Sequence, residues 1–220
     1  ARLTIPEHKY PEEQQQLSLI QQLTDQISQH PNVVDVFSNV WMGAYKVTIE
    51  GVDYGSEDDK PQIDTISVIG DTATVGVNLV AGRQLNHLDK KGRRKNVLIS
   101  QSMANRYWPG ESPLEKSFDI DIGDEIQRVF VVGVVTNRMN PATMFSALDT
   151  ADEIYVSGRQ FISSFQIYMY RILPNTENAE EIFYRAMFNT DRTIELTYSV
   201  TPAINNRNKM RESMRLLSEI

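Results

Sequence analysis

Hydrophobic residues recur along this chain with two periods, and the change from one to the other marks out the elements. Between residues 12 and 30, Leu17, Ile20, Leu23 and Ile27 fall at helical spacing with Gln, Ser and Asp between them. That pattern predicts an amphipathic helix, ended by Pro31. Residues 32–40 and 45–50 read as two strands joined through Gly43. A polar loop at 55–61 marks a change of composition, and 63–69 is the next predicted strand. Residues 70–85 mix small and apolar side chains, which predicts a weak helical turn and then a short strand ending at Gly82.

Strand 97–100 follows a basic segment, and Ser100 is placed to N-cap a helix over 101–107 that Pro109 and Gly110 terminate. Residues 117–122 and 127–136 are predicted to pair across a turn at 123–125, with Gly133 marking a bulge or a close backbone approach. Residues 137–152 hold too much Asn, Pro and Met for a regular element. Strands are predicted at 153–156 and 165–173, a helix at 179–189 on Ile182, Phe183, Ala186 and Met187, a strand at 193–200, and a last helix at 202–220. The order reads as α+β: helix-strand-strand at one end and strand-helix-strand at the other form one layer, with a β-rich middle between them.

Composition narrows the chemistry. With 220 residues, 40% hydrophobic and 23% charged, the chain suits one large or two small packed domains. A net charge of -7 argues against a nucleic-acid partner, which calls for a basic surface. There is no cysteine, which excludes disulfides, thiolate catalysis and zinc-thiolate or iron-sulfur sites. No apolar run approaches the roughly 20 residues that span a bilayer, and the first residues lack a signal-peptide core, so the reading is of a soluble segment excised from something larger.

Candidate chemistry is sparse. His8, His30 and His87 stand in no metal-ligand spacing. Asp119, Asp121, Asp124 and Glu125 faintly resemble a calcium loop, but Gly123 and Asp124 are transposed relative to the EF-hand order, and a turn is the competing reading. Glu57, Asp58 and Asp59 offer a carboxylate pair for acid-base work, against which stands a solvated loop. The glycines near Gly70 and Gly76 lack the Lys-Ser/Thr of a Walker loop, which excludes an ATPase of that type. Lys90, Lys91, Arg93, Arg94 and Lys95 form the strongest charge run, either a contact for anionic headgroups or an acidic partner, or a solvated turn at Gly92. Trp41, Met42 and Tyr45, and Tyr107 with Trp108, are either partner contacts or core. The sequence nominates no catalytic, cofactor-binding or metal-binding residue.

The run SQSMANRYWPGESPLEKSF followed by VFVVGVV resembles the periplasmic core domain of MacB-like (MacB/FtsX-type) ABC transporter permeases, and Gly82, Arg83, Leu85 and Asp89 match that family's upstream passage. Glu115 stands where the family commonly has glycine, and Ser112 where an acid is common. The resemblance implies a porter-like α/β-sandwich lobe from residues 1–55 and 160–220, with an inserted β-rich, sabre-like lobe at 56–159. It implies a non-enzymatic periplasmic domain of a bacterial inner-membrane protein, dimeric in the transporter, that couples ATP-driven motion of membrane helices to efflux. The implied partners are the chain's own transmembrane helices, a cytoplasmic ATPase, a second permease copy or paralogue, and a periplasmic adaptor protein, with no cofactor. The alternative is a ligand- or peptide-binding sensor ectodomain.

Overall fold

The structure is a computed structural model that describes residues 2–122, 125–138 and 152–193. All but the first residue of the predicted strand 193–200, the predicted helix 202–220, the turn centred on 123–124 and most of 137–152 lie outside the described residues. In chain order the elements are β1 (Arg2–Thr4), α1 (Glu13–Ser28), β2 (Val33–Ile49), β3 (Gln62–Ile69), β4 (Leu79–Gly82), β5 (Asn96–Ser100), α2 (Gln101–Tyr107), β6 (Ser117–Ile122), β7 (Glu125–Val135), β8 (Glu153–Ser157), β9 (Phe165–Ile172) and α3 (Ala179–Thr190). Short 3-10 turns occupy Glu57–Asp59 and Thr72–Val75. The architecture is mixed α+β, and the chain divides into two compact units, residues 1–36 with 164–220, and residues 37–163.

The first unit is a helix layer on a small sheet. α1 begins with a capping box in which the Glu12 N–H donates to the Gln15 side chain at 3.2 Å. Its buried stripe is Leu19, Ile20, Leu23 and Ile27, and Gln16 joins it because its Nε2 donates to the Tyr10 carbonyl at 2.9 Å. α3 buries Ile182, Phe183, Ala186 and Met187 as its periodicity predicts. On β9, Gln166 and Tyr168 are buried. The Tyr168 ring packs 5.5 Å from that of Phe183, and the Tyr170 hydroxyl donates to the Ala179 carbonyl at 2.7 Å. β1, which the sequence does not announce, pairs antiparallel with β9. At three residues it is too short to show a period.

The second unit is organised by β2. The sequence predicts two strands through Gly43; the structure has one strand of 17 residues. Its pairing with β3 slips by one residue between Trp41 and Gly43, and Gly43 takes φ +131. A bulge thus absorbs the irregularity, and glycine permits the bend without ending the strand. From residue 38 onward β2 pairs with β3 and then, at Val47–Ile49, with β6. This is why residues 37–55 group with the middle of the chain, and why the division falls at 36/37 and 163/164 where the sequence reading put 55/56 and 159/160.

The remaining pairings, β3 with β8, β8 with β5, β5 with β7 and β7 with β6, close a ring back onto β2. Closure removes most free edges. Inside the ring lie Val47, Ile49, Ile63, Val97, Ile99, Phe118, Ile120, Val129, Val131, Ile154 and Val156, with Met103, Ala104 and Trp108 of the α2 segment packed into the same cluster. Outside it, Phe37, Ile66, Val68, Leu98, Val132, Val135 and Tyr155 form a second cluster with Val77 of the segment that leads into β4. Strands buried on both faces explain why 129–135 reads as a continuous apolar run, while β8 buries Ile154, Tyr155 and Val156 between the polar Glu153 and Ser157.

Candidate functional site

The residues proposed from sequence do not converge. His8 and His30 belong to one unit and His87 to the other, and among the described residues no three His, Asp or Glu side chains stand as a metal-binding group. Asp119 is held by Arg128 across the β6–β7 pair, at 2.8 and 3.0 Å, and that hydrogen bond draws its carboxyl below the usual range. Glu57 pairs with Lys60 and Asp58 with Lys46, while Asp59 accepts from Ser56. Gly76 closes the turn at Thr72–Val75 in the left-handed region at φ +80. These are turn and surface contacts.

The aromatic candidates divide between roles. Trp108 is 8% exposed, with its ring 6.2 Å from those of Tyr107 and Phe118. Met42 and Tyr45 pack against the same cluster. Trp41 is 38% exposed, and its indole N–H donates to the buried Asp64 at 2.9 Å. Beside Trp108 a groove of about 530 Å³ opens, lined by Glu50, Val52, Tyr107, Pro109, Glu111 and Lys116 among others.

Two constellations were not read as sites from the sequence, although Arg83 and Asp89 of the first belong to the family's upstream passage. The first is a buried polar knot around Asp89, which is 1% exposed. Its carboxylate accepts two hydrogen bonds from the Arg83 guanidinium, at 2.8 and 2.9 Å, one from the Asn86 N–H at 2.8 Å and one from Asn96 Nδ2 at 2.7 Å. Burial alone would raise its pKa, but the bonds from Arg83, Asn96 and Asn86 outweigh that and lower it. The second lies at the start of β8. There the Arg138 guanidinium binds Glu153, the Tyr155 hydroxyl donates to Glu153 at 2.6 Å, Arg106 binds Asp152 at 3.0 Å, and the Glu153 N–H donates to Ser100 Oγ at 3.0 Å. The partners of this second constellation are scattered in sequence and carry no spacing that a motif reading detects.

The basic loop is the one sequence candidate that forms a coherent surface. Residues 90–94 are exposed and Lys95 is half-buried. The Gln160 amide donates to the carbonyls of Lys90 and Arg94, and the Lys91 N–H donates to the Arg159 carbonyl. Arg94 lies 4.0 Å over the Phe130 ring and pairs with Glu115 at 2.8 Å.

The family described as MacB-like periplasmic core domain matches residues 4–195. The chain belongs to that family. Three solved structures share its fold. The periplasmic region of MacB from Actinobacillus actinomycetemcomitans is 15% identical over 76% of this chain and 72% of that one, with a TM-score of 0.54. A domain of a putative permease protein from Porphyromonas gingivalis is 18% identical over 80% of each chain, with a TM-score of 0.52. The extracellular domain of the noncanonic ABC-type transporter YknZ from Gram-positive bacteria is 16% identical over 91% of this chain and 98% of that one, with a TM-score of 0.51. No curated protein matches.

As a MacB-like core domain, the protein is an extracytoplasmic domain of the MacB/FtsX type of ABC transporter permease, and no helix among the described residues is long and apolar enough to cross a membrane. The upstream passage of the family resemblance, Gly82, Arg83 and Asp89, supplies the Asp89 knot. Gly82 takes φ +78, and a Cβ there would meet the Val132 carbonyl at 2.2 Å. This close approach delivers Arg83 to Asp89. The WPG segment supplies Trp108 to the core. Glu115 occupies φ +65, a left-handed position that glycine takes without steric cost, which gives the family's usual glycine its physical reason.

Proposed function

We propose that this chain is the non-catalytic extracytoplasmic part of an ABC transporter permease, coupling ATP-driven motion of membrane helices to a conformational change outside the membrane during export. One observation carries the reading: residues 1–36 and 164–220 share one compact unit, with residues 37–163 inserted as the other. Membrane helices continuing from either end of the segment would act on a single body before the inserted unit responded. Within that body Lys9 and Tyr10 both bind Asp191, fastening the early part of the chain to the end of α3. ATP hydrolysis falls to a separate domain or subunit, and the working partners are the flanking transmembrane helices, the ATPase, a second permease copy or paralogue and a periplasmic adaptor.

The chain has no cysteine, so introduced pairs are unique reporters. A disulfide that locks the two ectodomains of the intact dimer is expected to abolish export reversibly; export that continues under a verified lock refutes the coupling reading. A sensor ectodomain is the second reading, and the groove beside Trp108 is its support. Saturable heat on titration with cationic peptides supports that reading, and its absence across a broad panel removes it.

A further inference from the structure

We propose that the loop at residues 90–95 is a docking surface for an acidic polypeptide segment of a partner protein. The proposal stands apart from the coupling reading, since it rests on one surface of the inserted unit. Five of the six residues are cationic on a chain whose net charge is -7, so the patch opposes the field of the rest of the molecule. Its backbone is fastened along its length. Ser157 Oγ donates to the Asp89 carbonyl at 2.5 Å, Gln160 Nε2 to the Lys90 and Arg94 carbonyls at 3.2 and 2.9 Å, and the Phe130 N–H to the Lys95 carbonyl at 2.9 Å. A run of lysines and arginines needs none of these ties to remain soluble. Their effect is to hold the backbone that carries the charges in one course.

The loop already displays the chemistry it accepts. Arg94, stacked on Phe130, presents its guanidinium to the Glu115 carboxylate at 2.8 Å, with 45% and 68% of the two side chains exposed. Lys90, Arg93 and Lys95 make no ion pair with a described residue and stand beside it. At the tip, Gly92 takes φ +79 with nothing within 4 Å of a Cβ position, which leaves room for a second chain. A polypeptide fits this arrangement better than a membrane. Anionic lipids attract any polybasic cluster, whereas a backbone course held in advance lowers the ordering cost of meeting carboxylates spaced along one extended strand.

The test is fluorescence anisotropy of a labelled Glu-Ser repeat peptide titrated with the intact chain at low and at physiological salt, alongside flotation with phosphatidylglycerol vesicles. Saturable, salt-sensitive binding is expected. It should weaken about tenfold or more in the Lys90→Glu/Arg93→Glu variant and stay unchanged in Arg185→Glu, which alters an exposed cation of α3 instead. Circular dichroism checks that each variant is folded. Absence of saturable binding, equal weakening in both variants, or capture by vesicles without capture of the peptide overturns the proposal.

Discussion

Replacing Asp89 tests the polar knot most directly, because one carboxylate there satisfies four donors. In Asp89→Ala the Arg83 guanidinium, whose side chain is 43% exposed, turns to water at little cost. Asn96 fares worse. Its Oδ1 is already buried without a partner, so losing the Asp89 contact leaves the whole amide unsatisfied. A buried polar group left unpaired costs about 1–3 kcal/mol, and with the Asn86 N–H also stranded the expected loss is about 3 kcal/mol. Asp89→Asn keeps the shape but turns a donor toward donors, for about 2 kcal/mol.

Urea unfolding followed by tryptophan fluorescence reads this well, since both tryptophans, Trp41 and Trp108, lie in the 37–163 unit. With an m-value of about 2 kcal/mol/M, the midpoint should fall by about 1.5 M for Asp89→Ala and about 1 M for Asp89→Asn. The pH dependence has a definite sign. The folded pKa of Asp89 is lowered, so its contribution is complete above the unfolded value of about 3.9 and is lost as pH falls from there toward the folded value. The gap between wild type and Asp89→Asn should therefore narrow below about pH 4. Midpoints within about 0.3 M of wild type at pH 7, or a gap that stays constant down to pH 3, would refute the account of the knot.

Gly133→Ala puts a methyl 2.5 Å from the Arg83 carbonyl and Gly82→Ala one 2.2 Å from the Val132 carbonyl, so each should cost about 3 kcal/mol or more in a thermal melt. Gly92→Ala, in open space at φ +79, should cost only the left-handed strain of about 1–2 kcal/mol. Ser100→Ala removes the α2 N-cap and the acceptor of the buried Glu153 N–H, for an expected loss of about 2–3 kcal/mol by urea unfolding. In the other unit, burial first and then the Asp191 carboxylate push the Tyr10 phenol up to about 12. Its stabilising effect should persist below the unfolded value of about 10 and fade as pH rises toward 12. Ultraviolet titration of wild type against Tyr10→Phe should show the missing phenol ionising near 12, and in the Asp191→Asn background at a lower pH that still lies above 10, because burial remains.

Much of the fold was legible because it is local. α2 and β6 occupy the predicted bounds, and α1, β3, β5, β8, β9 and α3 lie within two residues of theirs, since hydrophobic period, proline punctuation and a serine cap act over a few positions. The succession from Gly82 through Trp108 to the VVGVV strand also named the family, because the Gly82 approach, the Arg83–Asp89 pair and the buried Trp108 each demand particular residue types. The basic loop was visible as a charge run, but its anchoring by Gln160 was not, since nothing in the spacing links residue 160 to residues 90 and 94.

What the sequence determined by itself is therefore most of the described elements, the mixed α+β class, the family, and the absence of any thiol chemistry. What only the tertiary structure decided is where those elements close on one another. It made β2 one bulged strand, joined β6 to β2 to complete a ring, moved residues 37–55 into the inserted unit and assembled the knot on Asp89. The reason is physical. A period reports which face of an element is apolar. Which strand supplies the missing backbone partners, and which distant amide satisfies a buried carboxylate, depends on contacts between residues far apart in the chain, and only the folded geometry brings them together.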